Sequence, residues 1–251
     1  MLTWAAALVV GVIVGAVVWA AAGAIAGLVG GAVALIGFGL WTAGRARSIV
    51  PRSVRARAVA PGELPRLHNL VEGLCAVMGL PVPTVMVVDS PVPNALSSGN
   101  DPRRAALVVT AALPERLSLV ELESVLAHEL AHIKRRDGAP AGVAVALASL
   151  LPVRTSTASS LVHRTIGPGR EYRADQRAAA VVRSPMALGS ALRTLIDVGR
   201  GRDPWPEGAG RVAALTRWLW IDPPGGEDGS PPADRGGLDG APVRVDVLAL
   251  L

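Results

Sequence analysis

From Met1 to Gly44 the chain carries no ionisable side chain. As one straight helix that run would reach about 60 Å, twice the roughly 30 Å hydrocarbon core of a bilayer, so it is expected to fold back on itself. Two spans fit, at about 2–20 and 24–42, with the turn near Gly23 and with Trp4, Trp19 and Trp41 as interfacial anchors. Gly11, Gly15, Gly23, Gly27, Gly30 and Gly31 allow two such helices to pack closely. A signal peptide is the rival reading, but the run has no basic start and is too long.

The polar pattern begins abruptly. Arg45, Arg47, Arg52, Arg55 and Arg57 all precede the next acid, Glu63. By the positive-inside rule this side of the membrane is cytoplasmic, and the same arginines can meet anionic lipid headgroups. Residues 1–44 therefore read as a transmembrane helical hairpin and 45–62 as a basic juxtamembrane linker.

From residue 63 to 221 the apolar pattern is that of a folded domain. Pro65 to Gly79 repeats at helical spacing, with Leu67, Leu70, Val71 and Leu74 inward. Pro83 to Val88 and Ala105 to Thr110 are short apolar runs that predict buried strands, and Asn94 to Ser98 predicts a third between them, closed by the turn cluster Gly99-Asn100-Asp101-Pro102. A small antiparallel sheet is expected. Ser118 to Asp137 predicts a long helix, opened by a capping box at Ser118 and Glu121, striped by Leu119, Leu122, Val125 and Leu126, and ended by Lys134-Arg135-Arg136 where the dipole favours cations.

Ala139 to Val153 is apolar but short for a span, and a core or membrane-surface helix is favoured over a third crossing. A helix follows Gly167-Pro168-Gly169, another runs from Ser184-Pro185 to about Val198, and a short one from Arg211 to Ile221 after a Pro/Gly loop carrying Trp205. Residues 222–251 read as a Pro/Gly-rich loop, with Val243 to Leu248 able to return as a strand or helix turn. The fold class is α+β, mainly helical, and no internal repeat is visible.

Composition narrows the function. Of 251 residues 51% are hydrophobic and the net charge is +5, with every basic residue an arginine except Lys134. Outside the first apolar run about 200 residues remain, enough for one domain with its own core. The basic balance does not signal nucleic acid: there is no zinc finger, no basic recognition helix, and only one Phe and one Tyr for stacking. A single cysteine, Cys75, excludes an internal disulfide and is read as core packing.

The candidate chemistry lies at His128-Glu129-Leu130-Ala131-His132. Two imidazoles four residues apart project from one helical face and can share a metal ion, while the glutamate between them can face a metal-bound water. Zinc suits neutral nitrogen donors and needs a third protein ligand. Downstream, Glu171 and Asp175 also share a helical face, so Glu171 can bind the ion while Asp175 takes a hydrogen bond from a ligating imidazole. His68 reads as an ordinary histidine, and His163 as a weak alternative ligand.

These words resemble the HtpX-type membrane zinc metalloproteases, relatives of the CAAX prenyl endopeptidases. The match rests on Pro93-Asn94-Ala95 with Gly99, on Leu126 through Asp137, and on Arg170-Glu171-Tyr172-Arg173-Ala174-Asp175, and extends over about residues 65–200. The resemblance implies a gluzincin-like fold and one Zn2+ per chain, with His128, His132 and Glu171 as ligands and Glu129 as the base. It makes the strand from Asn94 and Ala95 the candidate edge on which an extended peptide docks. The family pattern also has a His-Pro-Pro word and a later Arg-Ile pair, where this chain has Asp222-Pro223-Pro224 and Arg244-Val245.

The expected function is that of a multi-pass plasma-membrane endopeptidase with a cytoplasmic catalytic domain. It would act on polypeptides, misfolded membrane proteins among them, in membrane-protein quality control. A membrane-anchored zinc scaffold or regulatory protein without proteolysis is the alternative, motivated by the divergent C-terminal word.

Overall fold

The computed structural model describes residues 2–60, 62–167, 169–199 and 210–223. The loop carrying Trp205 and the expected return of Val243 to Leu248 lie outside them.

Two long helices, α1 (Leu2–Ala22) and α2 (Ala24–Ser53), break at Gly23 and pack against each other. Close approach is what the small residues permit. A Cβ on Gly31 would sit 2.8 Å from the Gly11 carbonyl oxygen, so any larger residue there would push the two backbones apart. Their outer faces carry exposed Val12, Val17, Leu28 and Val33, a surface suited to hydrocarbon and not to water. By length and apolar character, one described stretch, Ala24–Trp41, qualifies as a span, with Ala6–Ala22 a shorter apolar helix beside it.

The second helix does not end where the arginines begin. It continues through residues 45–53, read from sequence as linker, and Ile49, Val50 and Val54 at its far end are buried in the domain. Arg52 and Arg55 are exposed and alternate with the buried apolar residues, which hid that stripe in the sequence.

The domain is built on a four-stranded sheet in the order β1 (Arg57–Ala58), β2 (Thr84–Val88), β4 (Ala106–Thr110), β3 (Ala95–Ser98). It is mixed, not antiparallel throughout: β2 and β4 run parallel, while β1 and β3 run antiparallel to their neighbours. Short apolar runs fix burial but not direction, which depends on how the chain crosses between strands. Here β3 itself lies on the path from β2 to β4. The strand β1 has no apolar alternation to announce it.

Helices cover both sheet faces. Leu107 and Val109 of β4 enter one core with α3 (Pro65–Met78), α5 (Leu119–Arg135), α8 (Gly169–Val182) and α9 (Pro185–Gly199). Val108 points the other way, into a core with the end of α2, α6 (Gly138–Leu150), α7 (Thr155–Ile166) and α10 (Arg211–Leu215), an alternation that follows from the two-residue period of a strand. The short α4 (Leu113–Arg116) leads into α5. Cys75 is buried in the first core, as its apolar run predicts. The apolar run 139–153 forms α6 only as far as Leu150; Ala141 to Ala146 are buried there, and the helix packs on α2. At its start a Cβ on Gly138 would fall 2.5 Å from the Gly99 carbonyl oxygen, and Gly99 itself has φ +122°. That backbone contact ties the end of β3 to the start of α6, just beyond the end of α5.

Candidate metal centre

Helix α5 begins where the capping box predicts. Ser118 Oγ accepts from the Glu121 amide at 3.4 Å, and Glu121 Oε2 accepts from the Ser118 amide at 2.9 Å. At its other end Lys134, the chain's only lysine, donates to the Met78 carbonyl of α3 at 2.6 Å. Between these anchors Leu122, Val125, Leu126 and Leu130 are fully buried, so the helix cannot turn about its axis without exposing them. Helix α8 packs against it, with the small residues Ala174 and Ala178 in the shared core.

This packing brings His128, His132 and Glu171 together. The two Nε2 atoms lie 3.1 Å apart, Glu171 Oε2 is 3.3 Å from His128 Nε2, and Glu171 Oε1 is 3.6 Å from His132 Nε2. Donors at 2.0–2.1 Å from a tetrahedral ion stand about 3.3–3.4 Å from one another, so the three side chains fit a zinc ion. Glu129 is 1% exposed, and neither of its carboxylate oxygens has a hydrogen-bond partner in the protein. A buried carboxylate left without a partner is costly unless a bound species supplies one.

The second ring nitrogens also face carboxylates. His128 Nδ1 lies 2.7 Å from Asp175 Oδ1. His132 Nδ1 lies 3.0 Å from Asp137 Oδ2, a partner that the sequence reading missed. Asp137 was in plain view, five residues after His132 and just beyond the helix, but a helical-face argument looks three or four residues away. The chain reaches it because Arg136 turns left-handed (φ +61°) and ends the helix there.

Without an ion, these contacts set the proton balance. Burial would lower the His128 pKa, but Asp175 and Glu171 overcome it and push the value up to about 10. Burial works to raise Glu171, yet the two imidazoles and Arg170 hold it well below the usual carboxylate range. Arg170 itself is 7% exposed; its Nε donates to Glu171 Oε1 at 2.8 Å and a terminal nitrogen donates to the Trp218 carbonyl at 3.1 Å. His163 stays out of the cluster and stacks on Trp218 at 4.1 Å. His68 faces the Leu64 carbonyl.

Asn94 and Ala95 are 1% and 0% exposed. The outer edge of β3 meets the chain's own residues 220–222: Leu96 bridges antiparallel to Trp220, and the Ile221 amide donates to the Ala95 carbonyl at 2.9 Å. The Asn94 side chain donates to the Asp222 carbonyl at 2.6 Å and accepts from the Asp222 amide at 3.2 Å. Asp222, the residue standing where the resembled pattern has histidine, is thus tied to the Asn94 word through its backbone.

Comparison with known proteins agrees with this geometry. Residues 61–219 match the family described as Peptidase family M48. The chain is similar to a protease HtpX homolog of Salinibacter ruber, 34% identical over 187 positions that cover 65% of this chain and 67% of that protein. It is also similar to protease HtpX homolog 2 of Methanosarcina mazei, 33% identical over 63% of this chain and 60% of the relative. A protease HtpX homolog of Pyrococcus furiosus is 33% identical over 62% and 64%, so the chain spans about two thirds or less of each relative's length. No solved structure matches.

Proposed function

Because this chain belongs to peptidase family M48 and is a metalloprotease of the HtpX kind, we propose that it hydrolyses peptide bonds in membrane-associated polypeptides, misfolded membrane proteins among them. Its metal would be zinc, which proteins of the family use, held by His128, His132 and Glu171. When bound there, zinc lowers the pKa of a water molecule toward about 7 and polarises the scissile carbonyl.

The chain's own residues supply the rest. Glu129, buried and without a protein partner, takes the proton of the attacking water and delivers it to the leaving amine. Asp175 and Asp137 fix the imidazole tautomers that leave both Nε2 atoms facing the ion site. The substrate strand pairs with β3 at Asn94 and Ala95, in the place that residues 220–222 take in this structure. The apolar hairpin anchors the enzyme in the plasma membrane, and the arginines after residue 44 put the catalytic domain on the cytoplasmic side.

The observation that carries this reading is the set of three donors at tetrahedral spacing, with a buried, unpartnered carboxylate on Glu129, the residue next to His128 in the chain. The scaffold alternative is favoured by one fact, that the β3 edge is paired with the chain itself. Cleavage of casein or of a membrane protein by the purified full chain, abolished by a chelator and restored by zinc, separates the two. Glu129→Gln is expected to keep zinc and lose at least about 100-fold in cleavage rate, whereas His128→Ala loses both. Parent-level cleavage by Glu129→Gln would remove the base assignment.

A further inference from the structure

We infer that Arg170 is a positioning residue for the metal ligand Glu171, occupying one of its carboxylate oxygens so that only the other is offered to the ion. The inference rests on the metal-centre reading above and concerns how one ligand binds, not whether the site exists.

Both Glu171 oxygens face imidazole nitrogens, Oε2 that of His128 at 3.3 Å and Oε1 that of His132 at 3.6 Å. A carboxylate so placed can donate one oxygen or two, and the choice sets whether the ion has four or five neighbours once water is counted. Arg170 decides it. Its Nε donates to Oε1 at 2.8 Å and draws that oxygen toward the guanidinium, which favours Oε2, the oxygen closer to an imidazole nitrogen, as the donor.

Sequence adjacency does not by itself produce this contact. Neighbouring residues on a helix point about 100° apart and do not face each other. The guanidinium is held inside because its far end donates to the Trp218 carbonyl, forty-eight residues along the chain. The two bonds leave from different nitrogens of the planar fork, Nε and a terminal one, whereas a lysine would have to meet both acceptors from a single nitrogen. The peptide that anchors Arg170 belongs to the same segment whose next residues, Trp220 and Ile221, pair with β3. The ligand's orientation is therefore set from the sheet edge through one buried cation.

The test is the visible absorption of the full chain, in detergent micelles, loaded with Co2+ in place of zinc. Four-coordinate cobalt absorbs strongly and five-coordinate cobalt weakly, so geometry is read directly. The parent is expected to give the strong spectrum. Arg170→Gln and Arg170→Lys are expected to lower the absorptivity per bound ion by about threefold, with one ion still bound per chain. Arg135→Gln, which removes an equal charge from beside Asp137 without touching a ligand, is expected to match the parent.

A parent-like spectrum in Arg170→Gln overturns the inference, and should that variant not fold, the same result in Arg170→Lys does so. An equal loss in Arg135→Gln overturns it in favour of a general charge effect. A parent chain that binds no cobalt overturns the metal-centre reading instead.

Discussion

His128 and His132 each hand their second ring nitrogen to a carboxylate, Asp175 at 2.7 Å and Asp137 at 3.0 Å. Such partners raise ligand basicity and lock the ring, and removing one typically costs 10- to 100-fold in metal affinity. Asp137→Asn is therefore expected to weaken zinc by about one order of magnitude, read by competition with a coloured chelator. It should leave the thermal melt of the metal-free protein within a few degrees of the parent, since Asp137 is not in either core. The contrast between the two carboxylates shows what a sequence can tell at this scale. Asp175 shares a helical face with Glu171, so spacing finds it; Asp137 arrives through a left-handed residue after the helix, and no periodicity extends past such a turn. Arg170 was hidden for a related reason, since its anchor at Trp218 is a contact between distant parts of the chain.

The element that matters most is α5, and its start can be tested apart from its chemistry. Ser118 and Glu121 satisfy each other's backbone amides, and Ser190 of α9 donates a further hydrogen bond to Glu121. Ser118→Ala should cost about 1 kcal/mol, the usual loss for an N-cap hydroxyl, measured as a lower melting temperature of the metal-free chain. Burial raises the Glu121 pKa, but the hydrogen bonds from Ser190 and Ser118 outweigh it and the net shift is downward. A folded value below the unfolded one gives stability that is present above the ordinary value of 4.5 and is lost as the pH falls through the lowered value. The melting gap between the parent and Glu121→Gln should thus be open at neutral pH and close in acid; a gap unchanged by acid would show that the charge of Glu121 contributes nothing. This helix was legible because its cap, stripe and basic end all agree. The sheet was legible only as buried strands, because direction is set by connections that leave no apolar pattern.

At the scale of the molecule the anchor and the catalytic domain share a core. Helix α2 has 30 residues, about 45 Å at 1.5 Å per residue, so it outruns a roughly 30 Å hydrocarbon layer by several turns. Those turns carry Ile49 and Val50 into the apolar cluster that also holds Val88, Leu96, Val108 and Trp220. The hairpin was readable from the missing charges, but this junction was not, because the arginines of residues 45–57 read as a boundary and mask a helix that runs on to Ser53. With Ala24–Trp41 in the bilayer as proposed, the ion site would stand at a fixed height from it on a rigid post. Val50→Ala removes two buried methyl groups from an otherwise closed cluster and should destabilise the catalytic domain by about 2 kcal/mol, although the residue lies on the anchoring helix. Tryptophan fluorescence will follow the loss, since Trp220 lies in the same cluster. A flexible Gly/Ser insertion after Gly44 leaves that cluster intact while freeing the post. It is expected to spare casein cleavage and to change the cleavage pattern of a membrane-embedded substrate, read by the positions of the cuts. Cuts unchanged by the insertion would mean that the height of the site above the bilayer does not select them.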